Sequence, residues 1–571
     1  MLNDAEKLSF LQQQIAISKR QKSKTIYNTD MNSQQSNNVK QNVLRICISF
    51  ILILVFAVLS YCLCAAFLSS ANMEYTMDEA TFFTADSPIR NLIFLILLIG
   101  ILFLLDKVCT KLKPVILFWI SAIILAGLFL YLIQDVNLTP TWDALRTFQA
   151  AEQFIDGNYD SLLPGGYIAH YPFQIPMMLY NCLLILVFGD TYIASQWINV
   201  LYFVGCYYCL FRLTAIYSHD NARAQRICIL LSAAFLPLGM YTMFIYSNMP
   251  ALFFMLAGIL QGSKYLQTSS IRHLVCAYSL LCISSLFKGT SYIAIIALTI
   301  AVIFKMIQEF HLKTVLITVL SVFILINVPQ AISLSVEKLD PRFNFEDSLY
   351  VEYALEMGCK RSLRGAGWHD GWMETYLDEY SDSYEEKEYE ARRIIHDNYA
   401  KLFSSADNAV AFYRDKLNSM WTSPDFQGYW TIQANKNDTR GLGDSARQSY
   451  GWIEYDTAND SYSNFTESYM NGSLNRVIRG FLNAEQNLVY LFSLIFLLSQ
   501  FRRKEFTADR LLLPLTFLGG FLFLAIWEAK AQYSILFYVL LFPCAAIGLD
   551  YFYHFIEQTL GKRWLKRHTD S

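Results

Sequence analysis

Two apolar stretches separated by a short basic turn decide the fold. Residues 91–106 read NLIFLILLIGILFLLD, residues 115–134 read VILFWISAIILAGLFLYLIQ, and the turn between them carries Lys107, Lys111 and Lys113. Each stretch approaches the ~20 apolar residues that cross a bilayer. Because no water reaches the hydrocarbon core to satisfy backbone amides, such stretches must be helices. The sequence therefore predicts an α-helical membrane protein.

Composition extends this prediction to the whole chain. The 571 residues are 54% hydrophobic and only 16% charged, whereas soluble proteins carry about 25% charged residues. The fold class predicted is all-α and polytopic, with about 12 transmembrane helices at 44–67, 91–106, 115–134, 193–215, 227–246, 249–265, 273–288, 290–306, 313–331, 481–500, 510–527 and 533–556. The net charge of −3 argues against a nucleic-acid partner, because such partners select basic surfaces.

The distribution of Lys and Arg predicts the orientation. Basic residues mark cytoplasmic loops, and on that rule both ends of the chain lie in the cytoplasm of a multi-pass protein of the cell membrane. Residues 1–43 are predicted to be a disordered tail and residues 558–571 a basic tail. The apolar segment 176–189 is too short to cross a bilayer and is predicted to lie along or dip into the outer leaflet.

The polar stretches divide the chain into domains. A transmembrane bundle is predicted at 44–334, with an acidic and aromatic outer loop at 135–176. An extracytoplasmic, mainly helical domain is predicted at 335–479, inserted before the last three helices of segment 480–557.

Several residues of the predicted outer loops are candidates for chemistry. Asp143 can act as a base toward a hydroxyl, or it can cap a helix, and His170 can donate to an anion or cap the following short helix. Lys288, at the outer end of an apolar helix, either extends its ammonium to the membrane surface or holds a lipid phosphate. Glu528 and Lys530 lie between the last two predicted helices, where charges are usually functional; a local ion pair in a tight turn is the alternative.

Known cofactor motifs are missing from the sequence. Zinc-ligand spacing, a P-loop and the G-x-S-x-G motif are all absent. No cofactor is firmly predicted, and a divalent metal is not the favoured interpretation.

The order of these motifs resembles that of the GT-C membrane glycosyltransferases over most of residues 90–550. The similarity is greatest to the family 39-like branch of low-GC Gram-positive bacteria; protein O-mannosyltransferases and the ArnT-type lipid A aminoarabinose transferases are more distant relatives. The matching pieces are Pro140 with Asp143, Tyr171-Pro172-Phe173-Gln174, Phe188-Gly189, Tyr246-Ser247-Asn248, Lys288-Gly289, Gly365–Trp372, Lys416 with Trp421, and Glu528-Ala529 with Tyr533.

The resemblance implies an inverting glycosyltransferase of the cell envelope with Asp143 as its base. The donor implied is a polyprenyl-phosphate-linked sugar, and the acceptor is an extracytoplasmic cell-wall polymer, polysaccharide, glycolipid or protein. The substrate contacts implied are Lys288, His170, Tyr171, Gln174, Glu528, Lys530, Tyr533, Tyr246, Asn248, Trp368 and Trp372, with the two tryptophans on the acceptor.

Two departures from the family pattern and two rival functions stay open. Several relatives have an acid where this chain has Asn248, which argues against a metal, and Asp78 or Glu79 in the preceding outer loop is the alternative base. The rivals are a transporter or flippase of lipid-linked sugars and a non-catalytic envelope assembly protein.

Overall fold

The computed structural model is built almost wholly of helices. It describes residues 40–73, 79–138, 140, 142–345, 347–431, 463–470, 472–503 and 505–569, with side chains to residue 559. Most of the predicted tail 1–43 and the candidate Asp78 lie outside the described residues. The helices are α1 Lys40–Leu68, α2 Pro88–Cys109, α3 Pro114–Val136, α4 Trp142–Ile155, α5 Tyr167–His170, α6 Ile175–Phe188, α7 Tyr192–Tyr217, α8 Ala222–Ala234, α9 Leu236–Met240, α10 Asn248–Thr268, α11 Ile271–Phe287, α12 Tyr292–Gln308, α13 Leu312–Glu337, α14 Tyr350–Gly358, α15 Trp372–Tyr380, α16 Tyr384–Leu402, α17 Ala406–Trp421, α18 Asn464–Met470, α19 Ser473–Arg503, α20 Ala508–Ile526, α21 Ala531–Tyr538 and α22 Leu541–Thr569.

The described strands form a single hairpin between the first two helices. Strand β1 (Ser69–Met73) pairs antiparallel with β2 (Thr81–Ala85), so that Ser69 faces Ala85. At the start of the second strand, the Thr81 N–H donates to the Arg364 carbonyl oxygen. This bond brings the neighbouring Glu79 close to the segment predicted to be extracytoplasmic.

Eight helical stretches within the described residues are long and apolar enough to cross a membrane. They are Lys40–Leu68, Pro88–Cys109, Pro114–Val136, Tyr192–Tyr217, Gly289–Gln308, Leu312–Glu337, Asn464–Arg503 and Ala508–Ile526. Two bent pairs, Asp160–His170 with Pro172–Phe188 (104°) and Ala531–Tyr538 with Leu541–Thr559 (52°), raise the number to 10 if each is one span. The chain is therefore a multi-pass helical membrane protein.

Three of the predicted spans differ from that description. Predicted helix 227–246 is broken at Phe235 into α8 and α9, because Pro237 lacks an N–H and its ring clashes with the carbonyl one turn earlier. Predicted helices 249–265 and 273–288 correspond to α10 and α11, which pack against each other. The former is less apolar than the spans above, and the latter has only 17 residues.

The region predicted as an outer domain is helical and joined to the bundle. A small core around Leu377 and Ile394 holds α14, α15 and α16 together. Trp368, Trp421 and Phe426 instead belong to the large core of the transmembrane bundle. The end of α14 lies so close to α20 that a Cβ on Gly358 would overlap the Ile526 carbonyl oxygen.

The loops predicted to be cytoplasmic contact one another. Lys107 Nζ lies 2.7 Å from Glu557 Oε1, and Arg223 bridges Glu557 and Asp106 at 2.6 and 3.1 Å. Arg226 reaches the same buried Asp106 at 2.8 Å. The predicted outer loops meet around a separate cavity.

Candidate functional site

A cavity of about 510 Å³ lies where the predicted outer loops meet α14, α15 and the loop before α15. Residues at the ends of membrane helices, among them Phe287, Tyr292 and Phe523, form part of its wall. Most of the predicted site residues line it, namely Asp143, Tyr171, Gln174, Tyr246, Lys288, Trp372, Glu528, Lys530 and Tyr533. The structure thus brings together residues from distant parts of the sequence.

Asp143 projects from the first turn of α4. The helix begins at Trp142, whose φ of 51° is in the left-handed region, so Asp143 is inside the helix and does not occupy the capping position. A left-handed conformation is costly for an aromatic residue and is often retained at functional sites. The Asp143 carboxylate lines the cavity together with Lys288 and Lys530, and its charge acts to raise the pKa of both lysines.

Lys288 lies in the break between α11 and α12. Its backbone is extended there, and the Ser284 hydroxyl braces the turn through the Ala251 carbonyl oxygen and Ser291. The Lys288 ammonium donates to Asn248 Oδ1 at 2.6 Å and lies 4.7 Å from the centre of the Tyr533 ring. Burial, and then the charge of Lys530, lower the pKa of Lys288 to about 7.

Lys530 lies between two carboxylates. Its Nζ is 3.5 Å from Glu79 Oε2 and 3.8 Å from Glu528 Oε1. Burial acts to lower the pKa of Lys530, but these carboxylates and Asp143 outweigh it and raise the pKa above its usual range. Burial raises the pKa of Glu528, against the opposing charge of Lys530. Lys530 therefore remains a cation whose charge is largely balanced.

The aromatic loop 167–174 supplies hydroxyl and amide groups to the cavity. Tyr171 donates to Glu374 Oε2 at 2.6 Å, which ties this loop to α15. The Gln174 amide donates to the Tyr246 hydroxyl, and Tyr533 donates to Glu528 Oε2 at 3.2 Å. These bonds fix the walls around the charged groups.

Three predicted contact residues do not line the cavity. His170 ends the short helix α5, and its carbonyl oxygen accepts from Ser348 Oγ; Tyr167 and Tyr171, one turn apart, face the cavity instead. Asn248 is buried, and its side-chain oxygen accepts a hydrogen bond from the Lys288 ammonium. Trp368 is fully buried and donates from Nε1 to Ser419 Oγ at 2.9 Å, so it is a core residue and the predicted acceptor contact is wrong.

Trp372 lines the cavity, and its ring also contacts Tyr376 and Lys360. Tyr376 stacks on it with 5.1 Å between ring centres and 10° between planes. Lys360 Nζ lies 4.7 Å from the ring centre. Trp372 is still 48% exposed, so its predicted contact with the acceptor stays a prediction.

The structure adds cavity residues that were not predicted. Arg364, His369 and Glu374, all from the segment predicted to be extracytoplasmic, line the cavity. The first two belong to the glycine-rich stretch 364–371, which marked a loop but gave no side-chain direction. Glu374 was one of several similar acids in the sequence, and only the tertiary contact with Tyr171 distinguishes it.

Among the described residues, no group of three or more His, Cys, Asp or Glu is arranged to hold a metal ion. The Asn248 side-chain oxygen accepts from the Lys288 ammonium. An oxygen used in this way is a poor fit for a cation.

Comparison with known proteins identifies similar solved structures. No family model and no curated protein matches the sequence. The chain is similar to ArnT from Cupriavidus metallidurans bound to undecaprenyl phosphate, at 14% identity and a TM-score of 0.35 over 76% of this chain and 77% of that one. It is also similar to the archaeal oligosaccharyltransferase AglB from Archaeoglobus fulgidus, in complex with an inhibitory peptide and a dolichol-phosphate. That match has 12% identity and a TM-score of 0.34 over 78% of this chain and 52% of AglB.

Proposed function

We propose that this protein is an inverting glycosyltransferase that takes a sugar from a polyprenyl-phosphate-linked donor on the outer face of the membrane. The observation that carries the proposal is one cavity holding a carboxylate, Asp143, together with the buried ammonium group of Lys288 and the half-buried ammonium group of Lys530. Its volume of about 510 Å³ is in the range of small-molecule sites. The ends of membrane helices in its wall suit a donor whose chain stays in the bilayer.

The reaction needs a base and a stabilised leaving group. An acceptor hydroxyl attacks C1 of the sugar, the C1–O bond to phosphate breaks, and the acceptor proton passes to Asp143. The polyprenyl phosphate leaves with the bonding electrons, and attack from the opposite face inverts C1. A positioned base typically contributes ~10²–10⁴-fold to such a step.

The two lysines have different roles in this proposal. Lys288 has a neutral amide as its hydrogen-bond partner, so its charge is available to the donor phosphate. Lys530 is balanced by Glu79 and Glu528 and sets the field around the leaving group. Fixed cations near developing negative charge are often the largest contribution to catalysis.

Asp143 is favoured over Glu79 as the base. Glu79 Oε2 lies 3.5 Å from Lys530 Nζ, so this carboxylate is already engaged in an ion pair. Among the described residues, no cation forms an ion pair with Asp143. The acceptor class stays open among wall polymers, polysaccharides, glycolipids and proteins.

The test is transfer from a panel of polyprenyl-phosphate sugars by the purified protein in nanodiscs. Asp143→Asn should lower transfer by ~10²–10⁴-fold, and Asp160→Asn, which changes an exposed acid in the same loop outside the cavity, should leave it unchanged. Near wild-type turnover by Asp143→Asn contradicts the assigned base. Transport of lipid-linked sugar without transfer supports the transporter alternative, and neither activity with any acceptor supports the assembly alternative.

A further inference from the structure

The glycine-rich loop before α15 is held in one conformation. Gly365 and Gly367 have φ values of 150° and 81°, which side chains rarely adopt. The Arg364 carbonyl oxygen accepts from Thr81 N at 2.9 Å, and the Gly367 carbonyl oxygen accepts from Ala529 N at 2.7 Å. The loop is thus tied both to strand β2 and to the segment that carries Glu528 and Lys530.

This loop directs Arg364 and His369 into the cavity. Arg364 Nη1 lies 3.1 Å from His369 Nδ1. Because a guanidinium only donates, Nδ1 must accept, and the ring proton is therefore assigned to Nε2. Together the two side chains present N–H groups and one positive charge.

The nearby carboxylates have other partners, and Glu374 accepts from the Tyr171 hydroxyl at 2.6 Å. Asp370 lies 3.0 Å from Lys360 Nζ, and Asp415 lies 2.8 Å from Arg361 Nη2. Within the described part of the chain, no carboxylate forms an ion pair with Arg364. Its charge is therefore available to a bound group.

The imidazole of His369 stays neutral. Burial, followed by the charges of Lys530 and Arg364, lowers the pKa of His369 to about 3. At physiological pH the ring therefore keeps Nδ1 as the acceptor from Arg364 and Nε2–H as a donor.

Three cationic side chains, those of Lys288, Lys530 and Arg364, line the same cavity. Lys288 is influenced by the charge of Lys530, and Lys530 by that of Arg364. Lys288 lies at the ends of membrane helices, whereas Arg364 lies in the outer region. Since Lys530 is balanced by carboxylates, Lys288 and Arg364 are two separate cations that can each hold an anion.

We propose that Arg364 and His369 form a second anion-binding subsite, which takes a phosphate or carboxylate of the substrate other than the donor phosphate at Lys288. The inference rests on the proposed function for the identity of that first phosphate. The second anion has two sources, either a second phosphate on the lipid donor or a charged group on the acceptor.

The test measures binding, so it does not depend on turnover. In nanodiscs, the affinity for polyprenyl diphosphate is compared with that for polyprenyl monophosphate. With the monophosphate saturating, the affinity for glycerol 3-phosphate is compared with that for glycerol. The variants are Arg364→Gln and, as the matched control, Arg361→Gln, whose exposed side chain is paired with Asp415 and does not line the cavity.

The wild type should prefer the anionic member of at least one pair by about tenfold or more, as expected for one charge-assisted hydrogen bond. Arg364→Gln should reduce that preference to near one, and Arg361→Gln should keep it. The pair that responds identifies the source of the anion. If Arg364→Gln fails to fold, Arg364→Lys should still reduce the preference at least threefold, because it lacks the planar pair of donors.

The proposed subsite is wrong if the wild type binds neither anionic ligand more tightly than its partner in the pair. It is also wrong if the Arg364→Gln variant keeps the wild-type preference for the anionic ligand. Transfer activity together with an unchanged preference leaves the proposed function standing without the subsite. An Arg364-dependent preference in a protein that transfers no sugar leaves the subsite standing without the proposed function.

Discussion

Replacing Lys288 with methionine should make the protein more stable and less able to bind its donor. The pKa of Lys288 is about 7 in the folded protein, against an ordinary value near ~10.4. At about 1.4 kcal/mol for each tenfold change in proton affinity, protonated Lys288 costs the fold about 5 kcal/mol. Methionine removes that cost, but it also removes the hydrogen bond to Asn248, worth about 1 kcal/mol.

The sign of the pH dependence follows from the lowered pKa. Between about pH 7 and pH 10 the unfolded lysine binds a proton that the folded lysine does not, so this residue's contribution to stability rises with pH. Relative to wild type, Lys288→Met should be about 4 kcal/mol more stable at pH 6. Above pH 10 it should be about 1 kcal/mol less stable.

Donor binding should change in the opposite direction. A phosphate binds protonated Lys288, so wild-type affinity for polyprenyl phosphate should fall about tenfold for each pH unit above 7. Loss of a charge-assisted bond of about 1.5–3 kcal/mol predicts roughly 10–150-fold weaker binding by Lys288→Met at pH 6. The variant's affinity should no longer depend on this ionisation.

The assays are thermal unfolding in detergent and donor titration in nanodiscs, each from pH 6 to pH 10. Lys305→Met is the matched control, because Lys305 lies at the other end of α12 and donates to the Leu266 carbonyl oxygen. Equal destabilisation of Lys288→Met at both ends of the pH range would refute the buried-cation reasoning. Unchanged donor affinity would refute the phosphate role.

Three further results are expected. Asp143→Asn should lower transfer by ~10²–10⁴-fold with its thermal unfolding unchanged, whereas Glu79→Gln should lower it less; the reverse order in a transfer assay would make Glu79 the base. Burial lowers the pKa of Lys416 to about 7, so only above about pH 10, where the lysine is uncharged in both the folded and the unfolded protein, should Lys416→Met destabilise by about 1–3 kcal/mol in thermal unfolding, because the Gly358 and Ala525 carbonyl oxygens each lose a donor; equal or higher stability at that pH would contradict this. Chelation of divalent ions should leave transfer intact, and activity restored only by added metal would overturn the metal-free mechanism.

The sequence predicted the charged half of the cavity well. Lys288 and the Glu528–Lys530 pair were recognisable because charges at the ends of apolar helices are costly and need a reason to be there. Asp143 was recognisable as an acid after proline in an aromatic outer loop. Each of these signals is local in the sequence, and the structure places all four side chains in one cavity.

The acceptor side was harder to predict from sequence. Trp368 and Trp372 belong to one aromatic and glycine-rich stretch, yet the first is fully buried and the second is 48% exposed and lines the cavity. Which side chain reaches the cavity depends on the backbone turns at Gly365, Gly367 and Gly371. Composition marks such a loop without giving its direction.

The break between α8 and α9 shows another limit of pattern reasoning. The hydropathy of 227–246 is continuous, so it predicts one span, although Pro237 interrupts the helical hydrogen bonding. Buried neighbours stabilise the two short helices that result, because Phe235 contacts Phe426 and Tyr538 from distant segments. These tertiary contacts are not visible in a local window.

The bond from Ala529 to the Gly367 carbonyl oxygen has a consequence for biosynthesis. The cavity unites a loop after α3 with a segment after α20, and the latter leaves the ribosome long after the former. Until then, Asp143 and Lys288 lack Glu528 and Lys530 as neighbours in the cavity, and the loop around Gly367 lacks its anchor. Assembly of the site must therefore be a late event of membrane insertion, so nascent chains already threaded through the bilayer would still be unable to handle a lipid-linked substrate.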